Sequence, residues 1–431
     1  MLIWIAAIAL AQPPAGLPPP AGTTPPAGTQ PPPGAPPTTP DPVPSKPLSA
    51  IVPPEPKKPT YPTQVGGKTL AEWIKDLNES KDGAARELAV KAIPAFGPSA
   101  REPSLRPLLK ACREDNDPGV RVNAILTLGA VGANNKEEAK LIIDVLMIAI
   151  NNASVGGVIR LHATRAIANY AHYPEQANDA ISTLANIAKD PSWETRKSIA
   201  YALGRVGGPT RTAPETKPLP PGVRPAPVDP KTGPNSAALK ALLTMLGDSS
   251  ATVRLEVVES MVALGPPAVS LEQYSATVTP YMMAILDRTK NEKDKSVLVW
   301  LHVLSMRLDG NLFNDATIGK IVDLGRGNDP DATCQALSSL SLLGEKAVPL
   351  ALPFAREMLR HAEPVVVASA AGYLGSAASI SGSVGATVKA SLPDLERAKA
   401  ETKDEMLKQV ITIAVDAING KKPIDPNMTK K

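Results

Sequence analysis

Aromatic residues, cysteine and histidine are all scarce in this chain of 431 residues. The 14 aromatic side chains are too few for a typical β-sandwich, or for a surface on which nucleic-acid bases stack. Two cysteines, Cys112 and Cys334, cannot build a disulfide framework. The four histidines have no cysteine or carboxylate partner at the spacing of a metal site. We therefore expect no metal ion and no cofactor.

An excess of charge of one sign is also missing from the main body of the chain. The formal net charge is +4, of which residues 1–64 contribute +1 and residues 421–431 contribute +3. Residues 65–420 therefore carry no net charge. Proteins that bind nucleic acids or anionic membranes through general electrostatic attraction display a clustered basic surface. The neutral body argues against both of these functions.

Proline, in contrast, is abundant, with 47 copies. Residues 12–62 contain 21 of them and residues 209–234 contain nine. Neither stretch has the periodic apolar residues with which a helix or strand buries a core. We expect residues 12–64 to be a disordered Pro-rich linker and residues 209–234 to be a loop insertion. Residues 421–431 are expected to form a basic, disordered tail.

An apolar run over residues 2–11 precedes the linker. It is far shorter than the ~20 residues that cross a bilayer as a helix, so we expect no membrane span. Its length and the small residues around Ala11 are typical of a signal peptide, although no Lys or Arg precedes the run. Residues 1–11 thus predict export to the periplasm, the envelope or the exterior. The alternative, if they are not a signal peptide, is a cytoplasmic protein.

A repeated pair of helices is predicted over residues 65–420. Arginines mark its register at spacings of 35, 39, 36 and 58 residues, the last of which contains the Pro-rich insertion. The marks are Arg86, Arg121, Arg160, Arg196 and Arg254. Mostly apolar residues recur three, four and seven positions after each mark, which places them on one face of an α-helix. Another apolar helix precedes each mark. The 330 residues outside the insertion then give about nine pairs at ~37 residues per pair.

Helix ends are also signalled in the sequence. Asp-Pro pairs at 117–118, 190–191 and 329–330 place an N-cap acceptor before a proline at the first helical position. Leu-Gly pairs are expected where helices end, because glycine readily adopts left-handed backbone. These pairs occupy residues 128–129, 203–204, 264–265, 343–344 and 374–375.

This pattern resembles the HEAT repeat, especially the bacterial HEAT-like form first associated with phycobilin lyases. The matching segments are residues 117–132, 190–207 and 248–265. Beyond residue 290 the resemblance is poor, because Leu298, Thr333 and Val367 replace the arginine. The tetratricopeptide repeat has a similar period, but its aromatic-and-Gly pattern is absent. The resemblance implies an all-α fold, an α-solenoid of about nine helix pairs with an extended concave surface.

Two features that suggest phosphate binding have structural interpretations. The resemblance implies that the five register arginines form bonds within and between repeats. Gly67-Lys68-Thr69 looks like the end of a phosphate-binding loop, but Pro62 stands where that motif requires its first glycine. We expect Lys68 or Thr69 to begin the first helix instead.

A candidate partner-binding face lies opposite the apolar face of the second helices, at offsets of two, five and nine from the marks. It comprises Asn123, Leu126, His162, Arg165, Asn169, Ser198, Tyr201, Arg205, Glu256 and Glu259. The resemblance implies that second helices line the concave side, where these residues would form a groove. Along this groove the charge would change from polar and basic to acidic.

Three functions remain open at this stage. The favoured hypothesis is an exported, monomeric and non-enzymatic scaffold that binds a protein or peptide on its concave face. The resemblance alone suggests a bilin-lyase-type enzyme or a chaperone-like accessory, which would need a reactive cysteine or an acid–base pair in the groove. The sequence shows neither, so we expect no catalytic residues. A nucleic-acid-binding solenoid would need a basic stripe, and Glu256 and Glu259 argue against one.

Overall fold

The computed structural model describes residues 61–152, 156–208, 235–265, 271–380 and 383–421. Within these ranges the chain forms α-helices, three short 3-10 segments and connecting turns. The predicted signal peptide, almost all of the predicted linker, the Pro-rich insertion and the tail beyond residue 421 lie outside them. The proposed boundaries of those segments therefore stay predictions.

Nineteen α-helices lie in the described part of the chain. They are α1 (Leu70–Glu79), α2 (Gly83–Ala92), α3 (Arg101–Glu114), α4 (Pro118–Val131), α5 (Lys136–Asn151), α6 (Gly157–Ala168), α7 (Pro174–Asn186), α8 (Trp193–Val206), α9 (Ser236–Met245), α10 (Ala251–Leu264), α11 (Leu271–Asn291), α12 (Lys295–Leu308), α13 (Asp315–Gly325), α14 (Pro330–Leu342), α15 (Val348–Met358), α16 (Pro364–Ala377), α17 (Ser383–Lys389), α18 (Leu392–Glu401) and α19 (Glu405–Ile418). Apart from α17, consecutive helices contact each other as nine pairs, from α1–α2 to α18–α19. The predicted all-α fold of about nine helix pairs is confirmed.

The pairs stack so that their second helices form a continuous layer, in the order α2, α4, α6, α8, α10, α12, α14, α16 and α19. Several first helices likewise contact the first helix of the next pair, for example α3 with α5 and α5 with α7. Apolar side chains fill the space between the two layers. The residues seven positions after the marks are all at most 1% exposed, and they are Ile93, Leu128, Ile167, Leu203 and Met261.

The beginnings of the helices agree with the predicted caps at most positions. The Asp117 carboxylate accepts hydrogen bonds from two backbone N–H groups of α4, and Pro118 is the first helical residue. The pair at 190–191 differs, because α8 begins two residues later and Ser192 is its N-cap. Asp190 instead accepts a hydrogen bond from the backbone N–H of Ser192 at 2.9 Å. Thr69 caps α1, as the interpretation of Gly67-Lys68-Thr69 requires.

The Leu-Gly pairs have two different roles. Gly265 and Gly344 follow helices with φ of 79° and 65°, which confirms the expected left-handed ends. Three other glycines lie near helix ends as predicted, in the last turns of α4, α8 and α16, but without left-handed backbone, namely Gly129, Gly204 and Gly375. A Cβ atom on Gly204 would stand 2.5 Å from the Ser260 side chain of α10. This glycine therefore allows α8 and α10 to approach closely.

Register arginines join one helix pair to the next. Three of them donate two hydrogen bonds each to one carboxylate of the following pair, at 2.6–3.0 Å. These pairs are Arg86 with Asp115, Arg196 with Asp248, and Arg254 with Glu292, and Arg160 donates to Asp190 in the same direction. The predicted structural role is thus observed. The acids that accept these bonds belong to the next pair.

The later pairs use other residues for similar bonds, which explains why their repeat pattern is weak. Thr333 stands at a register position, but its hydroxyl donates to the backbone carbonyl of Gly325 within its own pair, at 2.7 Å. Arg356 of α15 donates to Asp394 of α18 at 2.6 Å. The connections between pairs therefore continue with different side chains.

Candidate functional site

A cavity of about 430 Å³ opens on the second-helix layer. We call it the α4–α10 cavity, because residues of α4, α6, α8 and α10 line it. They are Leu126, Gly129, His162, Arg165, Ala166, Asn169, Lys197, Ser198, Tyr201 and Glu256. Seven of these ten were selected from the sequence as the candidate partner-binding face. Gly129, Ala166 and Lys197 were not, because they stand at other offsets from the marks.

Three of the selected residues do not line the cavity. Asn123 is half-buried, and its amide donates to Glu87 Oε1 at 3.2 Å and to the Gly119 carbonyl at 2.8 Å. Arg205 is exposed on α8, one turn beyond the cavity residue Tyr201. Glu259 lies near the cavity on α10, and its Oε1 atom is buried without a hydrogen-bond partner among the described residues.

Ser198 lines the cavity yet is only 2% exposed. Its hydroxyl accepts a hydrogen bond from Arg165 Nε at 3.0 Å and donates one to the Glu194 carbonyl at 2.9 Å. The offset-two position thus faces the second helix of the preceding pair. Glu256, at the same offset, faces Lys197 of the preceding pair at 3.8 Å. A helical wheel for one helix contains no information about these neighbours.

Large exposed side chains flank the cavity. Leu126 is 46% exposed and Tyr201 is 41% exposed. Arg165 and Asn169 are also exposed, and the Asn169 amide donates to the Gly129 carbonyl at 3.3 Å. The surface therefore combines apolar area with side-chain donors, a combination that is typical of protein contact sites.

Charges inside the cavity are affected by partial burial. Burial raises the pKa of the Glu256 carboxyl above its ordinary value, whereas Lys197 and Arg165 act to lower it. Burial lowers the pKa of His162, and the nearby charge of Arg165 lowers it further. Burial raises the pKa of the Glu259 carboxyl to about 8, with a further contribution from Glu256. With a pKa of about 8, the Glu259 carboxyl beside the cavity is largely protonated at neutral pH.

The described residues offer two further observations about ligands and membranes. No group of three or more His, Cys, Asp or Glu side chains in these ranges is placed to hold a metal ion. None of the described helices has the length and apolar character needed to cross a bilayer.

Similarity to known proteins is found in structure rather than in sequence. No protein-family model matches the chain, and no curated protein matches its sequence significantly. Importin beta matches with a TM-score of 0.50 and 15% identity, over 81% of this chain and 47% of importin beta. The fold is that of a HEAT-repeat solenoid. The chain spans about half the length of importin beta, and a likeness at this identity establishes the fold alone.

Two other HEAT-repeat solenoids also match the chain. Kap121p bound to Pho4p matches with a TM-score of 0.46 and 12% identity, over 81% of this chain and 37% of Kap121p. YibA from E. coli matches with a TM-score of 0.38 and 15% identity, over 81% of this chain and 92% of YibA. The predicted resemblance to HEAT repeats is confirmed as a statement about fold, and the phycobilin-lyase form stays a prediction.

Proposed function

We propose that this HEAT-repeat solenoid is a monomeric, non-enzymatic scaffold that binds a protein or peptide in the α4–α10 cavity. The observation that supports this function is a single depression that extends over four consecutive helix pairs and exposes Leu126, Tyr201 and Arg165. Tyr and Arg are enriched among the residues that dominate binding energy at protein interfaces. A partner in this cavity would contact several pairs at once, which a solenoid surface favours.

The first prediction tests this cavity with a triple substitution of Arg165, Tyr201 and Arg205 by Ala. We expect binding of the physiological partner to weaken by at least ~2 kcal/mol, because hot-spot side chains of these types are removed. All three side chains are exposed, so the helical circular-dichroism signal and the melting curve should change little. The partner would be recovered by affinity purification from the envelope fraction, and its affinity for each variant measured by calorimetry.

The matched control is Leu203→Ala, on the opposite face of α8. Leu203 is 0% exposed, so its truncation should cost ~2–5 kcal/mol of unfolding free energy. The folded fraction of this variant should still bind the partner. Unchanged affinity of the triple variant would show that the partner uses another surface of the solenoid. If the triple variant melts early and Leu203→Ala does not, the buried and exposed faces of α8 are assigned incorrectly.

We also propose that the scaffold is exported, with the Pro-rich residues 12–64 as a linker on its N-terminal side. The apolar run over residues 2–11 and the small residues at its end support this proposal. We expect protein isolated from its native host to begin at Gln12. N-terminal sequencing or intact mass measures this directly, and a full-length cytoplasmic chain would contradict export.

A further inference from the structure

Arg165 differs from four of the five register arginines on the same helix layer, because they are paired with carboxylates. Arg86, Arg160, Arg196 and Arg254 are each paired with a carboxylate of the next helix pair. Arg165 lies on α6 at the wall of the cavity, and no carboxylate in the described ranges forms an ion pair with it. Its charge is therefore available to a bound ligand.

The position of the Arg165 guanidinium is fixed from one side only. Its Nε donates to Ser198 Oγ at 3.0 Å, and the buried Ser198 is itself bonded to the Glu194 carbonyl. The two terminal nitrogens have no hydrogen-bond partner among the described residues. A guanidinium held in this way presents two parallel N–H groups, which match the two oxygens of a carboxylate.

A second cation lines the same cavity. Lys197 faces Glu256 at 3.8 Å, and their side chains are 38% and 15% exposed. Such a long contact, with a lysine that is more than one-third exposed, contributes little energy. Lys197 can therefore approach an anion near Arg165. Among the described residues that line the cavity, Glu256 of α10 is the one acidic residue.

The apolar part of the surface indicates that the ligand carries more than a charge. Leu126 and Tyr201 are both more than two-fifths exposed, and they line the cavity together with Arg165. Covering apolar area favours a complex, because it removes that area from water. A free inorganic anion would leave these two side chains uncovered, whereas a peptide with an apolar residue would bury them.

We propose that the α4–α10 cavity binds an acidic peptide segment of a protein partner. An Asp or Glu carboxylate of the segment is held by Arg165 and Lys197, and a neighbouring large apolar side chain packs on Leu126 and Tyr201. This inference rests on the proposed function and adds the chemical class of the partner to it.

The experiment is a selection of random heptapeptides displayed on phage, carried out on the full chain and on Arg165→Glu. We expect the native chain to enrich Asp or Glu next to Leu, Ile or Phe. The charge reversal should abolish this enrichment and favour Lys or Arg instead. A fluorescein-labelled peptide of the enriched sequence should bind Arg165→Glu at least ~10-fold more weakly in fluorescence anisotropy, as expected for loss of a charged hot spot.

The matched control is Arg106→Glu, which reverses the charge of an exposed arginine on α3 that does not line the cavity. It should leave the labelled peptide's affinity unchanged, and circular dichroism should show both variants folded. Equal weakening by the two reversals would overturn the inference, since it would indicate general charge attraction. So would complete displacement of the peptide by inorganic phosphate, or tighter binding of a single-stranded RNA oligonucleotide that depends on Arg165.

The selection also separates this inference from the proposed function. If the enriched peptides are neutral or basic and still lose affinity in the triple variant, the cavity binds peptides but the inference is wrong. If no peptide is enriched and the triple variant retains the physiological partner, both the inference and the proposed function are wrong.

Discussion

Replacement of Glu292 by Gln is expected to lower the unfolding free energy by about 3–5 kcal/mol at neutral pH. The Glu292 side chain is fully buried, and its two oxygens accept hydrogen bonds from Arg254, each at 2.8 Å. Arg288 adds two further bonds, at 2.9 and 2.6 Å. Glutamine keeps the volume but not the charge. Arg254, which is 9% exposed, would then be buried without a compensating carboxylate.

The stabilisation of the fold by the Glu292 carboxylate should depend on pH in a defined direction. Burial acts to raise the pKa of Glu292, but hydrogen bonds from Arg254, the Asp294 N–H and Arg288 lower it overall to about 2. Because this folded-state pKa lies below the ordinary value of 4.5, the carboxylate stabilises the fold above about pH 4.5 and loses that contribution as the pH falls towards about 2. The stability of Glu292→Gln should therefore decline less over this range than that of the native chain.

Glu357→Gln is the matched control for this prediction. Glu357 accepts a hydrogen bond from Arg326 of the preceding pair at 3.2 Å, but the two side chains are 54% and 44% exposed. An exposed pair contributes about 0–1 kcal/mol, so its loss should be small. Urea unfolding followed by circular dichroism measures both variants. Similar losses of unfolding free energy in the two variants would contradict the view that burial makes the loss of the Arg254–Glu292 ion pair costly.

The repeat could be predicted from the sequence because local residues determine it. Apolar positions such as Ile93 and Leu203 follow the helical period, and they form the core that the period predicts. Asp117 caps its helix through atoms only two and three residues away. Information of this kind lies within a single helix and its turn, so one sequence is sufficient to find it.

Features that depend on neighbouring pairs could not be predicted in the same way. Arg196 bonds to Asp248 across the Pro-rich insertion, at a separation of 52 residues. Gly204 resembles a helix end in sequence, but it is required by the close approach of Ser260. The exposure of candidate residues at offset five, such as Arg165 and Tyr201, could be predicted because it is a property of a single helix. Lys197 was missed because its place in the cavity depends on α10.

Glu259→Gln is the second substitution with a large expected effect. We expect it to stabilise the protein by on the order of 3 kcal/mol at about pH 8, and to have little effect at about pH 5. Burial, together with the nearby Glu256, raises the pKa of Glu259 to about 8, and Lys197 opposes this rise. One of its carboxylate oxygens is buried without a hydrogen-bond partner among the described residues. The ionised form is therefore costly in the folded state.

The direction of this pH dependence follows from the raised pKa of Glu259 in the folded state. The carboxyl is protonated in both states below its ordinary value of 4.5, so folding then buries a neutral group. As the pH rises towards about 8, the unfolded chain ionises freely while the folded chain retains its proton, and stability is lost. Glutamine resembles the protonated acid in shape and charge, so the variant avoids this loss.

Urea unfolding of the native chain and of Glu259→Gln at several pH values measures the difference. Glu396→Gln is the control, because Glu396 is an exposed residue on α18 and its substitution should leave the pH profile unchanged. Parallel profiles of the native chain and Glu259→Gln between about pH 5 and pH 8 would contradict the prediction. They would mean that the Glu259 carboxylate reaches solvent or a cationic partner in the folded chain. A smaller loss of stability between about pH 5 and pH 8 in Glu259→Gln alone would instead show that the Glu259 carboxyl retains its proton in the folded chain at neutral pH.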